Sequence, residues 1–118
     1  MSGILGGKAS TVARHEADFQ ALCEAILQLR TRDECRRFLL DLCTPSEIVA
    51  FVERWKIARL LDGNGQSYRD LHQKTGISVT TIGRVARFLT QEPYEGYRLV
   101  LQRLKGRKKG QRSYEDLG

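Results

Sequence analysis

The sequence predicts an all-α fold of six helices, with the fourth and fifth forming a helix-turn-helix. Three observations carry this. Apolar residues recur at the 3.6-residue period from Phe19 onward. Polar residues able to cap a helix stand at Thr31, Thr44 and Ser78, each followed at helical spacing by a buried-type stripe. No paired alternating runs flank a tight turn, so no β-hairpin is expected.

The elements follow in order. Between His15 and Leu29, the residues Phe19, Leu22, Cys23, Ile26 and Leu27 fall at i, i+3, i+4, i+7 and i+8, the stripe of an amphipathic helix. Thr31 with Glu34 has the spacing of a capping box, which predicts a second helix over Arg32–Leu42. Thr44 is the next cap and Pro45 takes the first helical position, where a missing N–H is harmless. Glu47 completes a second capping box. Ile48, Val52, Trp55, Leu60 and Leu61 are the expected buried stripe, and Gly63 the helix stop. Ser67–Lys74 reads as a short helix with Leu71 facing inward. Gly76 supplies the positive φ of a tight corner, and Ile77 plugs the space behind it. Ser78 caps the fifth helix, whose Ile82, Val85 and Leu89 face the core. The last helix follows Pro93, holds Tyr97, Val100, Leu101 and Leu104, and ends near Gly106. The expected organisation is a flexible arm over 1–13, one domain over 14–105 and a basic, flexible tail over 106–118.

Six short helices make a thin core for one chain, and several look apolar on more than one face. A homodimer sharing its core would resolve this. Hydrophobic residues are 41% of the 118, ordinary for a globular protein, and no run is long enough to span a bilayer. No signal peptide is apparent, so a cytoplasmic protein is expected. Twenty Lys and Arg against fourteen Asp and Glu give a net charge of +6, which suits a polyanionic partner. Cys23, Cys35 and Cys43 form no CxxC pair and read as reduced core residues. His15 and His72 have no cysteine at ligand spacing, so neither a metal nor another cofactor is expected. Nothing points to an enzyme: no nucleophile–base pair, no catalytic residue and no phosphate-cradling glycine loop can be assigned.

The functional signal lies in "LHQKTGISVTTIGRVARFL", Leu71–Leu89. The fifth helix starts with Ser78 and Thr81 and offers Val79, Thr80, Gly83, Arg84 and Arg87 on its outer face. Small and β-branched residues suit close approach to base edges and thymine methyls, and arginine suits guanine or phosphate. Gly83 costs about 1 kcal/mol inside a helix. It permits either close passage of DNA or packing against another backbone. Arg69 and Lys74, on the preceding helix, are placed to meet phosphates, whereas His72 reads as part of a solvated face. Lys105, Arg107, Lys108, Lys109 and Arg112 could add a sequence-independent phosphate grip. Double-stranded DNA is the leading partner. The alternative is a helix-turn-helix module that contacts protein.

"LLDLCTPSE", "RWKIARLLDGNGQSYRDL", "TGISVTTIGRVARFL" and "EPYEGYRLVLQRL" resemble the Trp repressor superfamily, and most of all the TrpR-like YerC/YecD group of bacterial proteins, over about residues 15–105. The resemblance implies an intertwined homodimer of six-helix chains, a repressor that reads a palindromic operator with one helix per half-site. It also implies an effector pocket at Thr44, Arg54 and Arg84, the positions matching those that hold tryptophan. The chain departs from the pattern at Val85 and Phe88, where the Trp repressor has glycine and serine. Phe88 would fill the space of an indole, and the serine hydroxyl is gone. Tryptophan is therefore not the expected effector, and any other effector is unassigned.

Overall fold

The computed structural model describes residues 8–63 and 65–110. Among the described residues there are seven helices and no strand: α1 (Lys8–Ala13), α2 (Glu16–Ile26), α3 (Arg32–Leu42), α4 (Pro45–Leu61), α5 (Tyr68–Thr75), α6 (Val79–Thr90) and α7 (Gly96–Gly110). The all-α class is as expected, and the helix count is one higher. The additional helix, α1, falls where a loose arm was expected. Its sequence, KASTVA, contains two alanines, the best helix formers, and no residue of it is buried. Gly106 does not end α7, which continues to Gly110. A glycine in a helix costs stability but does not by itself stop the helix, and the flanking lysines and arginines favour it. Residues 1–7 and 111–118, the remainder of the expected arm and tail, lie outside the described residues.

Contacts divide the chain into two compact units, meeting at Pro45 and Ser46. In the first, α1 and α2 join through a corner at His15, whose amide donates to the Val12 carbonyl at 2.9 Å. Thr31 caps α3 as its spacing predicts: its hydroxyl accepts from the Glu34 amide at 3.1 Å. The Glu34 carboxylate reaches back to the Arg30 amide at 2.9 Å, so two otherwise orphaned donors are satisfied. Neither α2 nor α3 buries a residue. Phe19, Ile26 and Leu27 of the first stripe are exposed, Leu27 to 79%. Cys23, Cys35 and Cys43 are free thiols, as expected, but half-buried rather than core residues.

The second unit contains the core. Ile57 and Ala58 of α4, Leu71 of α5, Ile77 of the turn, and Ile82 and Val85 of α6 form one buried cluster. Trp55, Leu60, Leu61 and Tyr97 pack around it, with the Trp55 and Tyr97 rings stacked at 6.3 Å. The α4 stripe differs from the expected one. Val52 is 60% exposed, and the wholly buried positions are Ile57 and Ala58. Val49, Phe51 and Val52 are all exposed, because α4 is apolar on more faces than this unit covers. α7 is tied back at two points. Arg98 Nε donates to the Leu89 carbonyl at 2.8 Å, and Lys105 Nζ pairs with Asp62 at 2.7 Å. Lys105 is therefore occupied within the fold.

Gly76 ends α5 at φ +76°, in the left-handed region. No atom lies within 4 Å of where its Cβ would be, so only backbone strain penalises a side chain there. Gly76→Ala is expected to destabilise the protein by about 1–2 kcal/mol, seen as a lower midpoint in thermal or urea unfolding with helical content preserved below it.

Candidate nucleic-acid interface

The helix-turn-helix is built from caps. Ser67 Oγ accepts from the Asp70 amide at 3.1 Å and starts α5. Ser78 Oγ accepts from the Thr81 amide at 3.1 Å and starts α6. The Ser78 hydroxyl also donates to Thr81 Oγ1 at 3.1 Å, so both side chains are engaged at the helix start.

Three side-chain bonds fasten the turn. Thr75 Oγ1 donates to the Leu71 carbonyl at 2.7 Å and accepts from the Ile77 amide at 3.1 Å. His72 Nδ1 lies 2.8 Å from the Ile77 carbonyl. A carbonyl only accepts, so Nδ1 carries the proton and donates. His72 is exposed, as the sequence reading expects, and is in addition a clasp across the corner. Its signal was a polar side chain five residues before a backbone acceptor, visible only once Gly76 bends the chain.

Burial of Ile82 and Val85 fixes which way α6 faces. Val79, Thr80, Arg84 and Arg87 are exposed on it, and Ser78 is exposed at its start. Thr81 and Gly83 are half-buried. Arg69 and Lys74 are exposed on α5. All these positions lie within one unit. Arg54, on α4, and Phe88 are half-buried, and Thr44 is exposed immediately before α4.

Phe88 is the centre of a cluster at the C-terminal end of α6. The Arg84 guanidinium lies 4.6 Å from its ring centroid and that of Arg87 lies 5.2 Å away, both within cation–π range. Tyr94 stacks with Phe88 at 6.3 Å and 12° between planes. Of the residues proposed for an effector pocket, Arg84 and Phe88 are thus in direct contact.

Gly83 faces Tyr68 of α5, whose Cε2 would be 3.9 Å from a Cβ. That is an ordinary contact distance, so packing within the described chain does not require glycine there. Among the described residues no three His, Cys, Asp or Glu side chains gather as metal ligands. No described helix is long and apolar enough to cross a membrane.

The family profile described as Trp repressor protein matches residues 17–105, which includes α2 through most of α7. The chain belongs to the Trp repressor family. It is 38% identical over 88 residues to the uncharacterized protein YerC of Bacillus subtilis strain 168, covering 75% of this chain and 83% of that one. A candidate Trp repressor from Staphylococcus aureus has a similar structure, with a TM-score of 0.69 and 36% identity, covering 75% of this chain and 87% of that one. A TrpR-like protein from Eubacterium eligens ATCC 27750 matches with a TM-score of 0.67 and 34% identity, covering 87% of this chain and 95% of the other. Membership of this family suggests a helix-turn-helix DNA-binding regulator. Family and fold are those of regulatory proteins rather than enzymes.

Since nothing in the fold needs Gly83 to lack a side chain, Gly83→Ala is expected to raise stability by about 0.5–1 kcal/mol. A higher unfolding midpoint would show it, and a lower one would mean the helix is constrained at that point.

Proposed function

We propose that this protein is a transcriptional repressor that reads a palindromic operator as a homodimer, without tryptophan as its effector. The observation that carries the reading is the orientation of α6. Ile82 and Val85 are wholly buried, while Val79, Thr80, Arg84 and Arg87 stand outward. A helix so held presents β-branched residues for thymine methyls and arginines for guanine or phosphate. Ser78 and Thr81 fix its first turn where bases would be approached. Arg69 and Lys74 of α5 supply flanking phosphate contacts.

Exposed apolar surface supports the homodimer. Leu27 and Leu42 of the first unit and Val49, Phe51 and Val52 of the second are among the large residues left open to solvent. A second copy of the chain would cover such faces, and two-fold symmetry would place one reading helix in each half-site.

Phe88 supports the absence of tryptophan. Its ring already occupies Arg84, one of the arginines expected to hold an indole. Thr44 and Arg54 retain the other pocket residue types, and no effector is assigned to them.

Selection of binding sites from random duplex DNA, at near-physiological salt and without added metabolites, is expected to return a palindrome. Recovery of no DNA even at low salt would instead favour a module that contacts protein. Calorimetry with L-tryptophan is expected to show no saturable micromolar binding, and a clear isotherm would overturn that part of the reading.

A further inference from the structure

Arg87 is one of the two arginines on the exposed face of α6, and in the free protein it already has an acidic partner. Its Nε lies 3.0 Å from Glu92 Oε2, with the two side chains 58% and 29% exposed. The carboxylate is held there by the backbone. The Glu92 amide donates to the Arg87 carbonyl at 3.0 Å, and the Gln91 amide donates to the same carbonyl at 2.8 Å. Pro93 then fixes the direction in which the chain leaves. Glu92 is therefore tied to Arg87 by main chain and side chain together. The Phe88 ring supports the guanidinium 5.2 Å away.

Glu92 places a carboxylate directly on one of the two arginines of α6. The chain carries a net +6; α6 also exposes Arg84, and α5 exposes Arg69 and Lys74 together with Asp70. A face that meets a polyanion gains nothing from an acidic side chain unless that side chain has a task in the free state.

We propose that Glu92 is an internal stand-in for a DNA phosphate. It holds Arg87 in place on Phe88 while the protein is free, and it yields Arg87 to the phosphate on binding. The exchange rests on the DNA-binding reading above. A pair this exposed is weak, so a phosphate on a densely charged duplex can displace it. Displacement leaves Glu92 to take up a cation, which offsets part of the counterion release. Glu92 thereby lowers both the affinity and the salt dependence of binding. It acts through Arg87 as a positioning residue and does not itself touch DNA.

The test is a double-mutant cycle with Glu92→Gln and Arg87→Gln, measured on a mixed-sequence duplex longer than the protein's footprint and over a range of salt. Glu92→Gln alone is expected to tighten binding roughly two- to five-fold, the worth of an exposed ion pair. It should also steepen the slope of log K against log salt, by less than the ~0.9 of a whole phosphate contact. In the Arg87→Gln background the same substitution should change neither quantity appreciably. If the two substitutions combine multiplicatively, Glu92 acts only as a general negative charge and the exchange is overturned. If Glu92→Gln weakens binding, Glu92 is instead needed in the bound state, which overturns it equally. If the wild type itself binds no duplex at low salt, the DNA-binding reading falls and the exchange falls with it. A duplex bound by wild type with multiplicative effects sinks the exchange alone.

Discussion

Ile82 and Val85 have no contact with solvent, and the direction of every other side chain on α6 depends on that fact. A helix has a single rotational freedom once its axis is set, and two adjacent buried positions remove it. Burying a side chain of this size stabilises by about 1.5–3 kcal/mol. Rotating α6 enough to turn the arginines inward would expose both residues and bury charge. Against the ~5–15 kcal/mol total stability of a domain, such a rotation would forfeit a large share of what holds the fold. The core that receives them is drawn from three other segments: Ile57 and Ala58 on α4, Leu71 on α5 and Ile77 in the turn. α6 is thus oriented by the hydrophobic effect, which is strong but not directional, and by a turn that makes it directional.

That turn shows how finely backbone accounting controls the angle between α5 and α6. Gly76 allows the reversal because it alone tolerates φ +76° without strain. Freedom at a corner is also a liability, since a glycine permits many geometries. Thr75 and His72 restrict it with bonds to Leu71 and Ile77 on both sides of the corner. Permissive backbone and restrictive side chains together fix one crossing angle.

Much of this was legible in the sequence because it is local. The caps at Thr31 and Ser78, the turn at Gly76 and the inward set Leu71, Ile77, Ile82 and Val85 each depend on residues within one or two turns. What was not legible depends on context. The α4 stripe was misjudged because α4 is apolar on several sides, and periodicity cannot choose among faces when most of them qualify. Val52 looked as suited to a core as Ile57, but only Ile57 meets α5 and α6 partners. Gly106 looked like a stop, but glycine ends a helix only where the chain turns left-handed, and nothing in α7 demands that. His72 and Glu92 were missed for a common reason. Each acts across a break in a helix, five residues away, where helical spacing no longer predicts neighbours.

The two ends of α6 are organised by different physics, and the difference bears on how a partner is met. The N-terminal end is held by hydrogen bonds from Ser78 and Thr81 and exposes small residues on a short stretch of fixed backbone. Little there can move, so complementarity must come from shape. The C-terminal end carries long arginines that would otherwise sample many rotamers, at a cost of up to ~2 kcal/mol each when immobilised. Phe88 reduces that cost by giving both guanidiniums a flat surface to rest on, and Tyr94 backs the ring. Ordering that is complete before association need not be supplied during it. A chain that provides its own aromatic ring at this point thus gains internally what an external planar ligand could otherwise contribute.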